Sequence, residues 1–356
     1  MTVAKIYFLL VVLKVDEIRA FVTGVMECYD SIGMTLSVVH NGEVIMAEGF
    51  GVREIETQLP VTEDTLFAID STSKAFTGIL AAMAVGEGKL SWDAPVKDYI
   101  AEFRLHNEFA DQRANTRDLL AHRVGLPRND MLWISGLNIT REESIARMRY
   151  LPNDVDFRDQ FEYNNWMVFV AGYLAAKQFG QTWEEMVAER LFRPLNMSRT
   201  ASGVEGALEL GNVARSYGVR AEGPVALPVD VDHVITMLAP AGAIHSSAVD
   251  IAQWLKFQLN LGKTDAGEQL VPPEQFAETW ARQFTASRTQ QNSITESTFP
   301  ASYFFMDYGF GWASGGYRGY STYSHTGVVI SFLLLLLSSL QIIPRPFDLQ
   351  EPPWAI

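Results

Sequence analysis

The segment FAIDSTSKAFTGILAAMAVGEG (67–88) places Lys74 three residues after Ser71, where an apolar helix begins. A lysine at the root of a buried helix is costly unless it is paired or loses its proton. Residues three apart share a helix face, so the Lys74 amine can reach the Ser71 hydroxyl. The positive end of the helix favours an anionic oxygen there. An amine whose pKa is lowered by burial would take the serine's proton and leave a nucleophile. Alone, the S-x-x-K spacing is weak. About one such match is expected by chance in a chain of this length, and Ser71 or Asp70 acting as a helix cap would account for it equally.

Two further groups of residues fit the same chemistry. Tyr163-Asn164-Asn165 precedes the apolar run WMVFVAGYLAA. In an extended Tyr-x-Asn the phenol and the amide point to one side. Tyr163 could then relay a proton between nucleophile and leaving group, with Asn165 binding a substrate carbonyl. A satisfied interior tyrosine and a capping asparagine would look the same. His325-Thr326-Gly327 lies on an expected strand edge, where Gly327 would allow close approach of substrate. The Val328 N–H could join that of Ser71 in stabilising an oxyanion. A histidine in a strand is also commonly structural, and it is the ordered set of three that is specific.

The chain resembles the serine β-lactamase-like family, which includes class C β-lactamases, penicillin-binding DD-peptidases and their esterase and animal relatives. Ser71/Lys74 matches its first motif, Tyr163/Asn165 its second, and His325-Thr326-Gly327 its third, where Lys-Thr-Gly is usual. LLAHRVGLP (119–127), PAGAIHSSAVDIAQWLKFQLN (240–260), YGFGW and YRGY also match, and the likeness runs from about 17 to about 333. It implies an α/β sandwich in which an antiparallel sheet is flanked by helices, with a largely helical inserted region at about 93–205. It also implies acyl transfer. Ser71, Lys74 and Tyr163 would be catalytic, Asn165, His325, Thr326 and Gly327 would bind substrate, and the Ser71 and Val328 amides would form the oxyanion site. No metal or other cofactor is implied.

The departures from the family pattern are informative. With His325 in place of lysine, the site lacks a permanent cation near neutral pH to hold a substrate carboxylate. This favours a small ester or peptide-like amide over a β-lactam antibiotic. After the third motif, HTGVVISFLLLLLSSL runs into the proline-containing tail QIIPRPFDLQEPPWAI. We read a core strand followed by an atypical tail (334–356) in place of the family's closing strands and helix, as in a truncated, animal-type member.

The elements that must position these residues are partly legible. Residues 15–30 carry apolar side chains at helical spacing. MTLSVVHNGEVIMAEGFG (34–51) reads as a hairpin turning at Asn41-Gly42. Phe76 to Val85 reads as a buried helix ended by Gly86 and Gly88, about 247–261 as another helix, and the Gly-punctuated aromatic runs near the end as strands. The related domain is expected over 15–333. It is preceded by residues 1–14, whose run Ile6 to Leu13 has the shape of a secretory signal or anchor without a cleavage site.

Composition bounds the partners. A formal net charge of −14 without clustered Lys and Arg argues against nucleic acid. One cysteine, Cys28, excludes an intrachain disulfide, and the six scattered histidines show no metal-ligand spacing. A small-molecule ester or amide is the expected partner, and the oligomeric state is left open. Secretion is the expected localisation, a cytoplasmic one the alternative. Two other function readings stand beside the hydrolase: a non-catalytic binding or matrix protein that retains the motifs, and a membrane-tethered domain.

Overall fold

Asn41 and Gly42 both take positive φ, 53° and 81°. This is the two-residue turn whose twist suits a tight hairpin. It joins β1 (Gly33–His40) to β2 (Glu43–Glu54) in antiparallel register from Gly33↔Gly51 to His40↔Glu43, with one bulge. The computed structural model describes residues 3–136, 139–228, 233, 235–286, 303–317, 320–328, 340–342 and 354–355.

The hairpin sits in the main sheet. Its other strands are β3 (Leu59–Pro60), β9 (Phe284–Thr285), β10 (Tyr303–Tyr308), β11 (Ala313–Tyr317), β12 (Tyr320–His325), β13 (Leu340–Ile342) and β14 (Trp354–Ala355); β4 (Phe67–Ala68), β5 (Ala201–Ser202) and β8 (Ile244–Ser246) form a second sheet, and β6 (Tyr217–Arg220) pairs with β7 (Gly223–Ala226). Among the described residues the order is β3-β2-β1-β14-β13-β12-β11-β10-β9, with every pairing antiparallel.

Helices cover both faces of this sheet. Ser37 on β1 donates 2.6 Å to the Ala248 carbonyl, at the start of a helix over Ala248–Leu259. The adjacent position, Leu36, points to the opposite face by the period of two. Its cross-strand partner Glu48 pairs there with Arg19 of α1 (Val3–Cys28). The sandwich expected from the sequence is the fold observed.

Regular structure is described at both ends of the chain. A single helix runs from Val3 to Cys28, across the boundary at 14/15 expected from the sequence. Among the described residues no helix is long and apolar enough to cross a membrane. The sheet does not lack closing strands. β13 pairs with β12 (Ile342↔Tyr323, Leu340↔His325), and β14 pairs with β1 (Ala355↔Val39, Trp354↔His40). The tail thus joins the two halves of the sheet. The apolar run 329–339, read as a core strand, and most of the tail beyond it lie outside the described residues.

Beside the sheet, α2 (Ser73–Gly86) runs through the core with Phe76, Ile79, Leu80 and Ala81 to Ala84 buried. The Phe76 ring stacks on Trp254 at 3.7 Å between centroids. Thr77 in the same helix donates to the Pro240 carbonyl (2.7 Å) and accepts from Trp183 Nε1 (3.1 Å). The helix ends at Gly86, and Gly88 follows at φ 69°. The inserted region is helical, and its principal element, α3 (Asn165–Lys177), packs against α2.

Candidate active site

Ser71 sits on a short 3-10 turn, Asp70–Thr72, that leads directly into α2. Asp70 adopts φ 48°, an uncommon left-handed conformation for this residue type. The bend leaves Ser71 partly open to solvent while Lys74, one turn on, is 1% exposed. No side chain makes a capping hydrogen bond at the start of the turn or of α2. A capping role therefore does not account for the serine.

Lys74 Nζ lies 3.0 Å from Ser71 Oγ and donates 2.7 Å to the Ala241 carbonyl. Burial lowers the Lys74 pKa to about 7, and the nearby Arg128 charge adds to the effect. Asp70 and Asp130 pull it the other way without reversing it. A neutral amine that spends one N–H on Ala241 keeps its lone pair for the Ser71 hydroxyl proton.

The second wall is built by two strands of irregular chain running together. Asp118, fully buried, accepts from Arg123 (2.6 Å) and from both Nε and Nη2 of Arg158 (2.8 Å each). These ion pairs tie the segment after helix Thr116–Leu120 to the segment before α3. Arg158 and Glu162 amides then donate to the Arg123 and His122 carbonyls. Asn164 donates its amide N–H to His122 Nδ1 (3.0 Å) and its Nδ2 to the Leu126 and Pro127 carbonyls. Gly125 is required here, since a Cβ would stand 2.4 Å from the Val155 carbonyl oxygen.

This frame presents Tyr163 to the nucleophile. Its ring lies 4.9 Å from Lys74 Nζ and 4.5 Å from the His122 ring. Burial raises the phenol pKa, and its contact with the Ser71 hydroxyl works against that rise. Burial thus favours the neutral phenol over the tyrosinate. The asparagine roles separate: Asn164 caps α3 through the Met167 N–H, whereas Asn165 is the first helical residue and its Nδ2 donates to Asp130 Oδ1 (3.1 Å).

The third wall is the end of β12. A Cβ on Gly327 would meet the Ile69 carbonyl oxygen at 2.5 Å. This glycine therefore lets the end of β12 pack against the residues that lead into the turn carrying Ser71. It brings the chain leading to the exposed Val328 against that turn, and Thr326 is exposed beside it.

His325 is 6% exposed, with Nε2 2.8 Å from Tyr308 Oη and Nδ1 2.7 Å from the Thr326 carbonyl oxygen. A carbonyl only accepts, so Nδ1 carries the proton and Nε2 accepts from the Tyr308 hydroxyl. Burial and the Lys74 charge lower the His325 pKa to about 3. The ring is neutral, as expected, but both nitrogens are committed to protein partners. Binding substrate through His325 would require breaking one of these bonds.

Sequence reasoning missed Tyr308, Arg128, Asp130 and the Ala241 carbonyl. YGFGW and PAGA were noted only as likenesses, and Arg128 follows the LLAHRVGLP segment directly. Among the described residues no cluster of His, Cys, Asp or Glu is arranged to hold a metal.

Comparison with known proteins follows this geometry. The beta-lactamase family model matches residues 18–338. The chain is 27% identical over 305 residues to "Unguisins hydrolase ungD'" of Aspergillus campestris, covering 82% of this chain and 55% of that protein. It is 24% identical over 239 residues to "Protein flp" of Staphylococcus aureus, covering 64% and 45%. It thus spans about half the length of these curated relatives. An octameric penicillin-binding protein homologue from Pyrococcus abyssi superposes with a TM-score of 0.77 at 25% identity, over 96% of this chain and 72% of that one. A class C beta-lactamase shares the fold with a TM-score of 0.71 at 19% identity, over 96% and 91%. With the family model matched over most of its length and the sandwich shared with those structures, the chain belongs to the beta-lactamase family.

Proposed function

We propose that the chain is a serine hydrolase that acts through an acyl-enzyme at Ser71 on small ester or amide substrates. The observation that carries the reading is Lys74 Nζ, buried and 3.0 Å from Ser71 Oγ, with a pKa lowered to about 7. The Ser71 hydroxyl proton moves to Lys74 as Oγ bonds to the substrate carbonyl carbon, whose oxygen takes the negative charge. That oxygen faces the Ser71 and Val328 amides. Lys74, now an ammonium ion still donating to Ala241, returns the proton through Tyr163 to the leaving oxygen or nitrogen. Water then repeats the sequence on the acyl-enzyme and frees Ser71.

Family membership and the likeness to the fungal unguisins hydrolase support this reading. The neutral and fully bonded His325 supports simple esters and amides over substrates whose carboxylate must be held at that wall. Pre-steady-state hydrolysis of 4-nitrophenyl hexanoate tests it. A burst of 4-nitrophenol close to one per protein is expected, abolished by Ser71→Ala. A folded wild-type protein showing neither burst nor turnover would favour the non-catalytic binding reading instead.

A further inference from the structure

Arg128 is an exposed cation of the second wall. Its guanidinium carbon lies 5.4 Å from the centre of the Tyr163 ring, and its side chain is 58% exposed. It stands close enough to Lys74, His122 and Tyr163 to act on the charge of all three.

The side chain is also held in place. Asp130 Oδ2 accepts from Arg128 Nε (2.7 Å) and lies 2.7 Å from Nη2 in the same ion pair. Asp130 Oδ1 accepts from Asn165 Nδ2 (3.1 Å) and from Trp133 Nε1 (3.0 Å). The carboxylate thus has donors on both oxygens and acts as a clamp. The guanidinium keeps Nη1, with no partner among the described residues, and the outer N–H of Nη2. A planar fork fixed on one edge and open on the other is suited to a carboxylate.

We infer that Arg128 is a specificity residue whose free edge donates to a carboxylate of the substrate, so that the preferred ester or amide is anionic. The inference rests on the serine hydrolase reading above and names the substrate class for that site. It also changes the expectation of a site without a permanent cation, because Arg128 stands on the wall of Tyr163. Because Arg128 is already paired with Asp130, its gain comes from short charge-assisted hydrogen bonds rather than long-range attraction. A preference of roughly 10- to 100-fold is the corresponding range.

Two matched pairs of esters test this. Mono-4-nitrophenyl adipate against 4-nitrophenyl hexanoate places the carboxylate on the acyl side, and 4-(carboxymethyl)phenyl hexanoate against phenyl hexanoate places it on the leaving side. The wild-type kcat/KM ratio, anionic over neutral, is expected to be at least about tenfold in one pair, and the pair that shows it tells which side Arg128 reads. Arg128→Gln should bring that ratio near one, chiefly through KM, while Arg128→Lys should keep part of it.

Wild-type ratios near one in both pairs, or a ratio that survives in a folded Arg128→Gln protein, would overturn the inference. If the neutral ester still gives its burst in that case, the serine hydrolase reading stands. Loss of the burst itself would overturn both.

Discussion

The direct partners of Lys74 are a hydroxyl and a carbonyl, and among the described residues no carboxylate is in hydrogen-bond contact with it. With no carboxylate paired directly to the ammonium form, burial dominates and lowers the pKa to about 7. In the unfolded chain a lysine titrates near 10.4. Between about pH 7 and that value the unfolded state holds more protons, so stability rises with pH across this window and is lowest below it. Lys74→Met removes the buried ionisation. The variant is expected to gain on wild type as the pH falls from 10 to 6, by an amount on the order of a few kcal/mol. It loses, at every pH, the bond to Ala241. Urea melts at the two pH values measure the difference, and a gap that does not change with pH would mean that Lys74 is not held neutral. Lys74 also marks where sequence reading reached and where it stopped. The hydroxyl three residues away is local and legible. The Ala241 carbonyl is 167 positions distant and becomes a partner only in the folded chain.

At the scale of elements, α2 is positioned by close approaches. A Cβ on Gly78 would meet the Phe310 carbonyl oxygen at 2.5 Å, and one on Gly311, at φ 82°, would meet the Ala75 amide nitrogen at 2.5 Å. The turn between β10 and β11 thus lies directly against the first turns of the helix that follows Ser71. In sequence Gly311 of YGFGW reads as turn punctuation, because nothing local distinguishes a turn glycine from one pressed against another backbone. Two helix glycines make the contrast testable. Gly24 in α1 has nothing within 4 Å of a Cβ. Gly24→Ala should therefore stabilise by up to about 1 kcal/mol, the ordinary helix gain. Gly78→Ala should instead cost about 1–3 kcal/mol, because crowding against Phe310 outweighs that gain. Chemical denaturation of the pair checks the sign, and equal stabilisation by both would show that the turn does not press on α2. The hairpin at Asn41-Gly42, the buried helix and the helix over 248–259 were legible, since each has its own period or turn signal. The strands Leu340–Ile342 and Trp354–Ala355 were not. Strands of three and two residues carry no period and are specified by the neighbours they pair with.

In the whole molecule three distant segments meet. The turn with Ser71, the paired irregular segments held by Asp118, and the end of β12 are each fixed by contacts far apart in sequence. The likeness to a known family indicated that they would converge, but not what would fill each wall. It led us to expect His325 to face substrate, whereas the hydroxyl of Tyr308 and the Thr326 carbonyl take both its nitrogens. It gave no sign of the cation beside Tyr163, because Arg128 and Asp130 acquire their meaning only when Asn165 and Trp133 close around them. The central claim is that this convergence makes Ser71 a nucleophile driven by a neutral Lys74. Treatment with a fluorophosphonate probe, followed by mapping of the labelled peptide, tests it most directly. Label is expected on Ser71, absent in Ser71→Ala and strongly slowed in Lys74→Ala, with a wild-type rate that rises as the pH passes through about 7 and levels off above it. Label on another serine, or a Lys74→Ala protein that reacts as fast as wild type, would contradict it.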